Sequence, residues 1–221
     1  MNGEQAIRPE LGELPLRMRH LPIDERGFPV PAFVDEIDGK RDFRFFSPTH
    51  WVRCVKWRRC WVCGDALGSY LAFVLGPMCT VSRSTSEPPC HLECARWSAT
   101  YCPFLSRPRM VRREDELTDA NRANSAGCPI LRNPGCCAVW TARDYKIFYD
   151  DKGKPLIEVG EAVSVEWYAE GRVATRAEVL ASIESGLPLL EEKAREDKDP
   201  AAAMAELHAR VYAIEGLLPG A

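Results

Sequence analysis

Two short residue pairs with the same spacing constrain the fold of this 221-residue chain more than any other feature. The first is Cys60 and Cys63, followed by Gly64, and the second is His91 and Cys94. Thiolate and imidazole groups offered in this spacing are common ligands of tetrahedral Zn²⁺. We expect the first pair to lie on a tight turn that Gly64 permits, and the second pair to share one face of a helix. The sequence therefore predicts one closed, structural zinc site.

The ligand set leaves alternatives open. Cys90 lies four residues before Cys94 and competes with His91 for one position. An iron–sulfur cluster would use the three site cysteines together with Cys102, and a redox-active first cysteine pair is a further alternative. A second metal site would draw on Cys102, Cys128, Cys136 and Cys137.

The N-terminal residues and the overall composition indicate where the protein is located. Residues 1–13 carry three glutamates and no apolar core, so they do not form a signal peptide. No run approaches the roughly 20 apolar residues needed to span a bilayer. We therefore expect a cytoplasmic protein whose ten cysteines are reduced thiols or metal ligands rather than disulfides.

Local signals along the chain predict an α+β fold. Ser47 and Pro48 suit the start of a helix. Asp150–Gly153 is a hairpin turn between a strand at Cys137–Tyr149 and later strands, and Thr175 with Glu178 forms a capping box. The predicted parts are an N-terminal arm with edge strands (1–46), a zinc-binding module (47–113), a small antiparallel β region (114–174) and a C-terminal helical pair (175–221).

Within the zinc-binding module, the apolar run Tyr70–Leu75 predicts a buried strand. Gly76 and Pro77 break it, Met78–Ser82 is expected to return as a second strand, and the helix that carries Cys94 follows. A turn, a hairpin and a helix in this order resemble a treble-clef zinc finger over residues 60–100. The treble clef is also similar to the core of HNH nucleases, which need a catalytic histidine near the first hairpin strand. No histidine lies between Cys63 and Met78, so a nuclease is only a lesser alternative.

The C-terminal residues predict two helices. Gly186 and Pro188 are expected to end the first helix and to start the second. The second helix carries an apolar stripe whose spacing of three and four residues indicates one buried face. Its members are Met204, Leu207, Val211, Ile214 and Leu218. We expect the two helices to pack as an antiparallel pair.

Several strings of this sequence resemble uncharacterised proteins encoded by bacteriophages and bacteria. They are Cys60–Gly64, Gly76–Cys79, Glu87–Pro89 with His91 and Cys94–Ala95, and Thr175–Val179 with Ser185–Pro188. The resemblance implies a phage or prophage origin and assigns no activity.

Charge is distributed unevenly and suggests the type of partner. Residues 51–113 carry ten Lys and Arg against three Asp and Glu, whereas residues 114–221 carry twelve against twenty. A basic module is compatible with phosphate binding. The candidate nucleic-acid-binding residues are Arg53, Lys56, Arg58, Arg59, Arg107, Arg109, Arg112 and Arg113.

The sequence thus favours a non-catalytic, zinc-stabilised binding protein that associates with nucleic acid. The alternative is a protein-interaction or inhibitor module, in which zinc only holds the scaffold and the acidic C-terminal half contacts a host protein. Neither a phosphate-binding glycine loop nor a nucleophile elbow occurs in the chain.

Overall fold

Helices and antiparallel strands are mixed along the chain, which confirms the predicted α+β class. The computed structural model describes residues 6–37, 40–43, 47–107, 135–150 and 152–220. Its helices are α1 Pro48–Trp57, α2 Pro77–Ser82, α3 Leu92–Tyr101, α4 Pro103–Ser106, α5 Arg176–Arg195 and α6 Pro200–Ile214. Its strands are β1 Glu36–Ile37, β2 Lys40–Arg41, β3 Leu71–Leu75, β4 Ser84–Thr85, β5 Cys137–Ala142, β6 Tyr145–Tyr149, β7 Pro155–Val159, β8 Ser164–Ala169 and β9 Arg172–Val173. No helix in these ranges is both long and apolar enough to cross a membrane.

The sheets join parts of the chain that the sequence suggests are separate. Among the described strands, one sheet has the order β3-β5-β8-β9, a second has the order β4-β7-β6, and β1 pairs with β2. All of these pairings are antiparallel. Strand β3 belongs to the predicted zinc module but pairs with β5, with Leu71 opposite Ala142. The predicted division between residues 113 and 114 therefore does not coincide with a break in the sheet.

The predicted return strand at Met78–Ser82 is wrong, because these residues belong to helix α2. Gly76 is the N-cap of that helix and Pro77 is its first residue, where a missing N–H costs nothing. The Thr80 hydroxyl donates to the Gly76 carbonyl at 3.0 Å. A short apolar run fits a buried strand and a buried helix equally well, so periodicity could not separate the two.

The predicted strand at Cys137–Tyr149 is also wrong in its extent. Strand β5 ends at Ala142 and strand β6 begins at Tyr145, and the two lie in different sheets. The chain changes sheet at Arg143 and Asp144, where the Asp144 carbonyl accepts a hydrogen bond from Gly160 N at 3.1 Å. The hairpin turn predicted at Asp150–Gly153 does connect β6 to β7.

Gly186 and Pro188 do not end the first C-terminal helix. Both lie inside α5, which begins at the predicted Thr175–Glu178 capping box and continues to Arg195. Ile183 is buried and Leu187 and Leu190 pack against the core. Burial of these flanking residues therefore outweighs the poor helix propensity of glycine and proline.

The predicted stripe of the last helix faces the core. Leu207 and Ile214 are buried, and Met204, Val211 and Leu218 are partly buried against the same cluster. Helix α6 packs against α5, and both helices contact α2. Because α2 also contacts β3 and β5, a single apolar core extends from the C-terminal helices to the sheet.

The N-terminal residues are packed on this core and do not form the extended arm that we expected. Met18 and Leu21 belong to the core cluster, and Leu11 and Val30 are buried as well. The Ala32 N–H donates to the Val62 carbonyl at 2.8 Å. This segment therefore covers the turn that carries the first cysteine pair.

Candidate metal centre

Cys60 and Cys63 lie on a tight turn after helix α1. The chain leaves the helix through Arg58, whose φ of 50° is left-handed. Gly64 N donates to the Cys60 carbonyl at 2.9 Å, and Gly64 has a φ of +80°, which favours glycine. The Cys60 N–H donates to the Asp65 carbonyl at 2.7 Å. These bonds curl the backbone so that both cysteine side chains face the same side.

His91 and Cys94 lie at the start of helix α3. His91 is the N-cap residue of α3 rather than a residue of its first turn, and Cys94 is the third helical residue. The segment before them is held in place by Ala72, which exchanges two backbone hydrogen bonds with Cys90 at 2.9 and 2.7 Å. The positive end of the helix dipole at this point favours a thiolate.

The fold brings the four predicted ligands together. Their ligand atoms all lie within 4.8 Å of one another. His91 Nδ1 is 3.3 Å from Cys63 Sγ and 4.0 Å from Cys94 Sγ. A tetrahedral ion bonded to sulfur at about 2.3 Å and to nitrogen at about 2.0 Å holds such atoms about 3.5 Å apart. The cluster can therefore hold a metal ion with a closed tetrahedral shell.

Hydrogen bonds orient the four ligand side chains. The two ring nitrogens of His91 have different partners, because Nε2 is 3.0 Å from the Ala66 carbonyl while Nδ1 faces the thiols. An Nε2–H donor to that carbonyl leaves Nδ1 with a free lone pair. Cys60 Sγ accepts from two backbone N–H groups, those of Cys63 and His91, each at 3.4 Å.

The electrostatics of the cluster favour a cation. Burial raises the pKa of the Cys60 thiol, but hydrogen bonds from Cys63, Cys94 and His91 outweigh burial and hold that pKa well below its usual value. Hydrogen bonds with Cys60 and Cys63, together with burial, raise the pKa of Cys94. Hydrogen bonds with the same two cysteines raise the pKa of His91 to about 10. Ionisation of the Cys60 thiol is favoured, whereas ionisation of the Cys94 thiol beside it is opposed. A bound cation would relieve the repulsion between the two thiolates.

The other cysteines of the described ranges do not join the cluster. Cys90 Sγ donates to the Ala72 carbonyl at 3.3 Å, and burial raises its pKa well above the usual value. Burial also raises the pKa values of Cys102, Cys136 and Cys137. Within the described ranges, the grouping of Cys60, Cys63, His91 and Cys94 is the one cluster of potential metal ligands. Cys128 lies outside the described residues.

Of the remaining histidines, His20 and His50 contact residues of the cysteine turn, whereas His208 lies on the last helix. His20 Nε2 is 3.1 Å from the Cys63 carbonyl. His50 packs against Trp61 with ring centroids 5.7 Å apart, and burial and the nearby Arg53 lower its pKa. Trp61 also stacks on Phe33 at 4.8 Å.

The candidate nucleic-acid-binding residues divide into two groups. Arg53, Lys56, Arg58 and Arg59 are exposed at helix α1 and at the entry to the cysteine turn. Arg107 follows α4 and interacts electrostatically with Glu10. Arg109, Arg112 and Arg113 lie outside the described residues.

The structure adds Arg143 and Tyr70 to the first group. Strands β3 and β5 pair with Leu71 opposite Ala142, so Tyr70 and Arg143 lie side by side at the ends of these strands. The Arg143 guanidinium lies over the Tyr70 ring at 4.7 Å and donates to its hydroxyl at 2.9 Å. The Arg58 guanidinium donates to the Gly68 carbonyl at 3.1 Å, two residues before Tyr70. Sequence reasoning missed both residues because no local signal shows that β3 pairs with β5.

No family model, no curated protein and no solved structure matches this chain.

Proposed function

We propose that this protein is a non-catalytic, zinc-stabilised binding protein that binds nucleic acid through a basic surface beside the metal centre. We define the basic surface as Arg53, Lys56, Arg58, Arg59 and Arg143. Three thiolates and one imidazole are a typical ligand set for structural zinc, and soft sulfur ligands disfavour the hard cations Mg²⁺ and Ca²⁺. The order of the turn, strand and ligand-bearing helix supports a treble-clef-like module, although helix α2 replaces the expected return strand.

The observation that carries the nucleic-acid proposal is the pairing of the arginines. Most arginines elsewhere in the described chain form salt bridges with carboxylates, as Arg96 does with Glu166 and Arg172 with Glu178. The four arginines of the basic surface form none with a carboxylate of the described residues. Exposed guanidinium groups that are left without an internal counter-charge can form bidentate hydrogen bonds with phosphates.

The position of the basic surface also supports this proposal. Arg58 and Arg59 directly precede Cys60, and Arg59 bridges to Ala66, whose carbonyl fixes His91. A bound metal ion would thereby hold the backbone that presents these arginines. Zinc would act on binding indirectly, by fixing where the cations lie.

Salt-dependent binding tests the proposal. Affinity for duplex and single-stranded DNA should be measured by fluorescence anisotropy between about 50 and 200 mM salt, where each phosphate contact adds about 0.9 (duplex) or 0.7 (single strand) to the slope. The triple variant Arg53→Ala, Arg58→Ala, Arg59→Ala should bind all sequences more weakly and reduce the slope. Phosphate contacts position a protein without reading bases, so sequence should not matter.

The matched control is the triple variant Lys193→Ala, Arg195→Ala, Lys198→Ala. It removes the same number of positive charges from the C-terminal helical pair and should leave the affinity and the slope near those of the wild type. A third triple variant, Arg109→Ala, Arg112→Ala, Arg113→Ala, extends the test to the other predicted residues. Absence of binding at low salt, or equal binding by the wild type and the first variant, contradicts the proposal.

One observation favours the alternative of a protein partner. Helices α5 and α6 border a shallow groove that contains Leu180, Ile183, Val211 and Leu218, and Tyr212 at its edge is 78% exposed. This groove lies in the acidic half of the chain. If the wild type does not bind nucleic acid, the groove becomes the candidate interaction surface, and Tyr212→Ala is the variant that would test it against an isolated partner.

A further inference from the structure

An exposed tryptophan lies within the basic surface. Trp57 is the last residue of α1 and its side chain is 55% exposed. It lies four residues after Arg53, so the two side chains share one face of the helix. The Lys56 ammonium is 5.5 Å from the centre of the Trp57 ring. No aromatic ring of the described residues packs on Trp57. A large planar side chain is therefore exposed to solvent beside Arg53 and Lys56.

A second exposed ring belongs to the same surface. Tyr70 is 50% exposed and carries the Arg143 guanidinium over its ring. Arg58 connects the two rings, because it follows Trp57 directly and its guanidinium bonds to Gly68, close to Tyr70 in the chain. Two exposed aromatic rings are thus linked through Arg58, beside guanidinium groups that form no salt bridge with a carboxylate of the described residues.

We infer that the nucleic acid is single-stranded, with one base stacked on Trp57, a second base at Tyr70, and the phosphates at Arg53, Arg58 and Arg59. This inference rests on the proposed function. In a duplex the faces of the bases are covered by their neighbours, so an exposed ring could not stack on them. Single-strand-binding proteins combine a positively charged path for the backbone with aromatic platforms for the bases, and every base has a face that can stack.

The stacking residue can be separated from the phosphate contacts by comparing two substrates. Anisotropy should be measured with an oligonucleotide of about 16 nucleotides, once as a single strand and once as a duplex. Trp57→Ala should weaken single-strand binding about tenfold and change duplex binding by much less. Trp57→Phe should restore most of the affinity, whereas Trp57→Leu, which is apolar but has no π face, should not.

The control is Tyr212→Ala, which removes an aromatic ring that is even more exposed than Trp57 from helix α6. This variant should bind the single strand as the wild type does. Zinc content and the thermal midpoint of each Trp57 variant show whether it has folded. An equal loss for single strand and duplex, or full binding by Trp57→Leu, overturns the stacking inference and leaves the proposed function standing. Absence of binding by the wild type overturns both. The same measurements with DNA and RNA oligonucleotides of one sequence show which sugar is preferred.

Discussion

The candidate metal centre and the C-terminal helical pair are built in different ways. Cys60 and Cys63 lie on an irregular turn, His91 and Cys94 lie at the start of helix α3, and the four ligand atoms lie within 4.8 Å of one another. Helices α5 and α6 are regular and bury an apolar face that includes Val179 and Leu207. With the proposed zinc bound, stability in the first region would be concentrated in a few ligands, whereas in the second region it is distributed over many contacts. Replacing one ligand sulfur should therefore unfold the first region completely. Truncating one apolar side chain of the second region should lower its free energy of unfolding only in part.

The two regions also use their surface charges differently. The arginines of the helical pair bond within it or to its neighbours, as Arg195 does with Glu191 and Arg210 with Glu206. Those around α1 have no carboxylate partner among the described residues. Exposed ion pairs contribute little to stability, so the difference concerns binding more than folding. Under the proposed function, the α1 side is the one that meets an oppositely charged partner.

The largest effect is expected when a ligand is removed. The wild type should contain one zinc per chain by elemental analysis, and Cys63→Ser should contain none. Folding of at least residues 47–105 should be lost with the metal, because structural zinc contributes about 10–16 kcal/mol to the folding of small zinc modules. Circular dichroism and limited proteolysis would show the loss.

Two further cysteine variants sharpen this result. Cys79→Ser changes a thiol outside the cluster and should keep one zinc. Cys90→Ala should also keep it, because the Cys90 thiol is directed to the Ala72 carbonyl. Iron with visible absorbance in the wild type would contradict the zinc assignment. Loss of metal from Cys90→Ala would mean that Cys90, and not His91, is the fourth ligand.

A smaller effect is expected in the helical pair. Leu207 is 8% exposed, and truncation of a buried leucine to alanine costs about 2–5 kcal/mol. Leu207→Ala should lower the thermal midpoint of the whole chain in one transition, because one apolar core joins α6 to the sheet. The folded variant should still contain one zinc. The control Leu189→Ala removes a leucine that is 52% exposed and should change the midpoint little.

Two outcomes would change this interpretation. If Leu207→Ala loses zinc at a temperature where it is folded, the helical pair also supports the ligand geometry. If it stays fully stable but changes from dimer to monomer, the apolar stripe is a contact between two copies of the chain.

Gly186 tests how closely the two regions are joined. A Cβ at this position would come within 2.7 Å of Met78 Sδ on α2, so Gly186→Ala forces Met78 to move. We expect a loss of about 1 kcal/mol, since overpacking outweighs the gain in helix propensity. In a Met78→Ala background the same change should stabilise the protein. Gly216→Ala, where a Cβ meets nothing within 4 Å, is the control. A loss that persists without Met78 would contradict the contact.

Local signals in the sequence predicted the parts of the structure that depend on a few neighbouring residues. The spacing of the cysteine and histidine pairs, the Ser47–Pro48 helix start and the Thr175–Glu178 capping box are of this kind. In each of these features, a side chain bonds to a backbone group only a few residues away, or two side chains a few residues apart can bind the same ion. The metal centre was accessible to sequence reasoning for the same reason.

The parts that were missed depend on contacts between distant residues. Helix α5 continues through Gly186 and Pro188 because its apolar face is buried, and Gly186 itself allows the close approach of Met78. Tyr70 and Arg143 meet because β3 pairs with β5, whose residues are about 70 positions apart. Propensity cannot predict such contacts, so the contact between Tyr70 and Arg143 could not be inferred from sequence.

The smallest expected effect concerns Glu178, which caps helix α5 and forms a salt bridge with Arg172 on strand β9. Arg172 first, and then the Thr175 backbone and hydroxyl, lower the pKa of Glu178 from 4.5 to about 2. A lowered pKa means that the stabilisation is complete above pH 4.5 and is lost as the pH falls toward 2. In an NMR titration to the lowest pH at which the fold persists, the Glu178 carboxyl should remain ionised where ordinary glutamates are half protonated. Arg172→Gln should raise its pKa, and Glu178→Gln should slightly lower the thermal midpoint at neutral pH without changing nucleic-acid affinity. Half-titration of Glu178 near pH 4.5 in the wild type would mean that the ion pair does not form in solution. A change in affinity would mean that the paired charges of this region also meet the partner, and the contrast between the two regions would not hold.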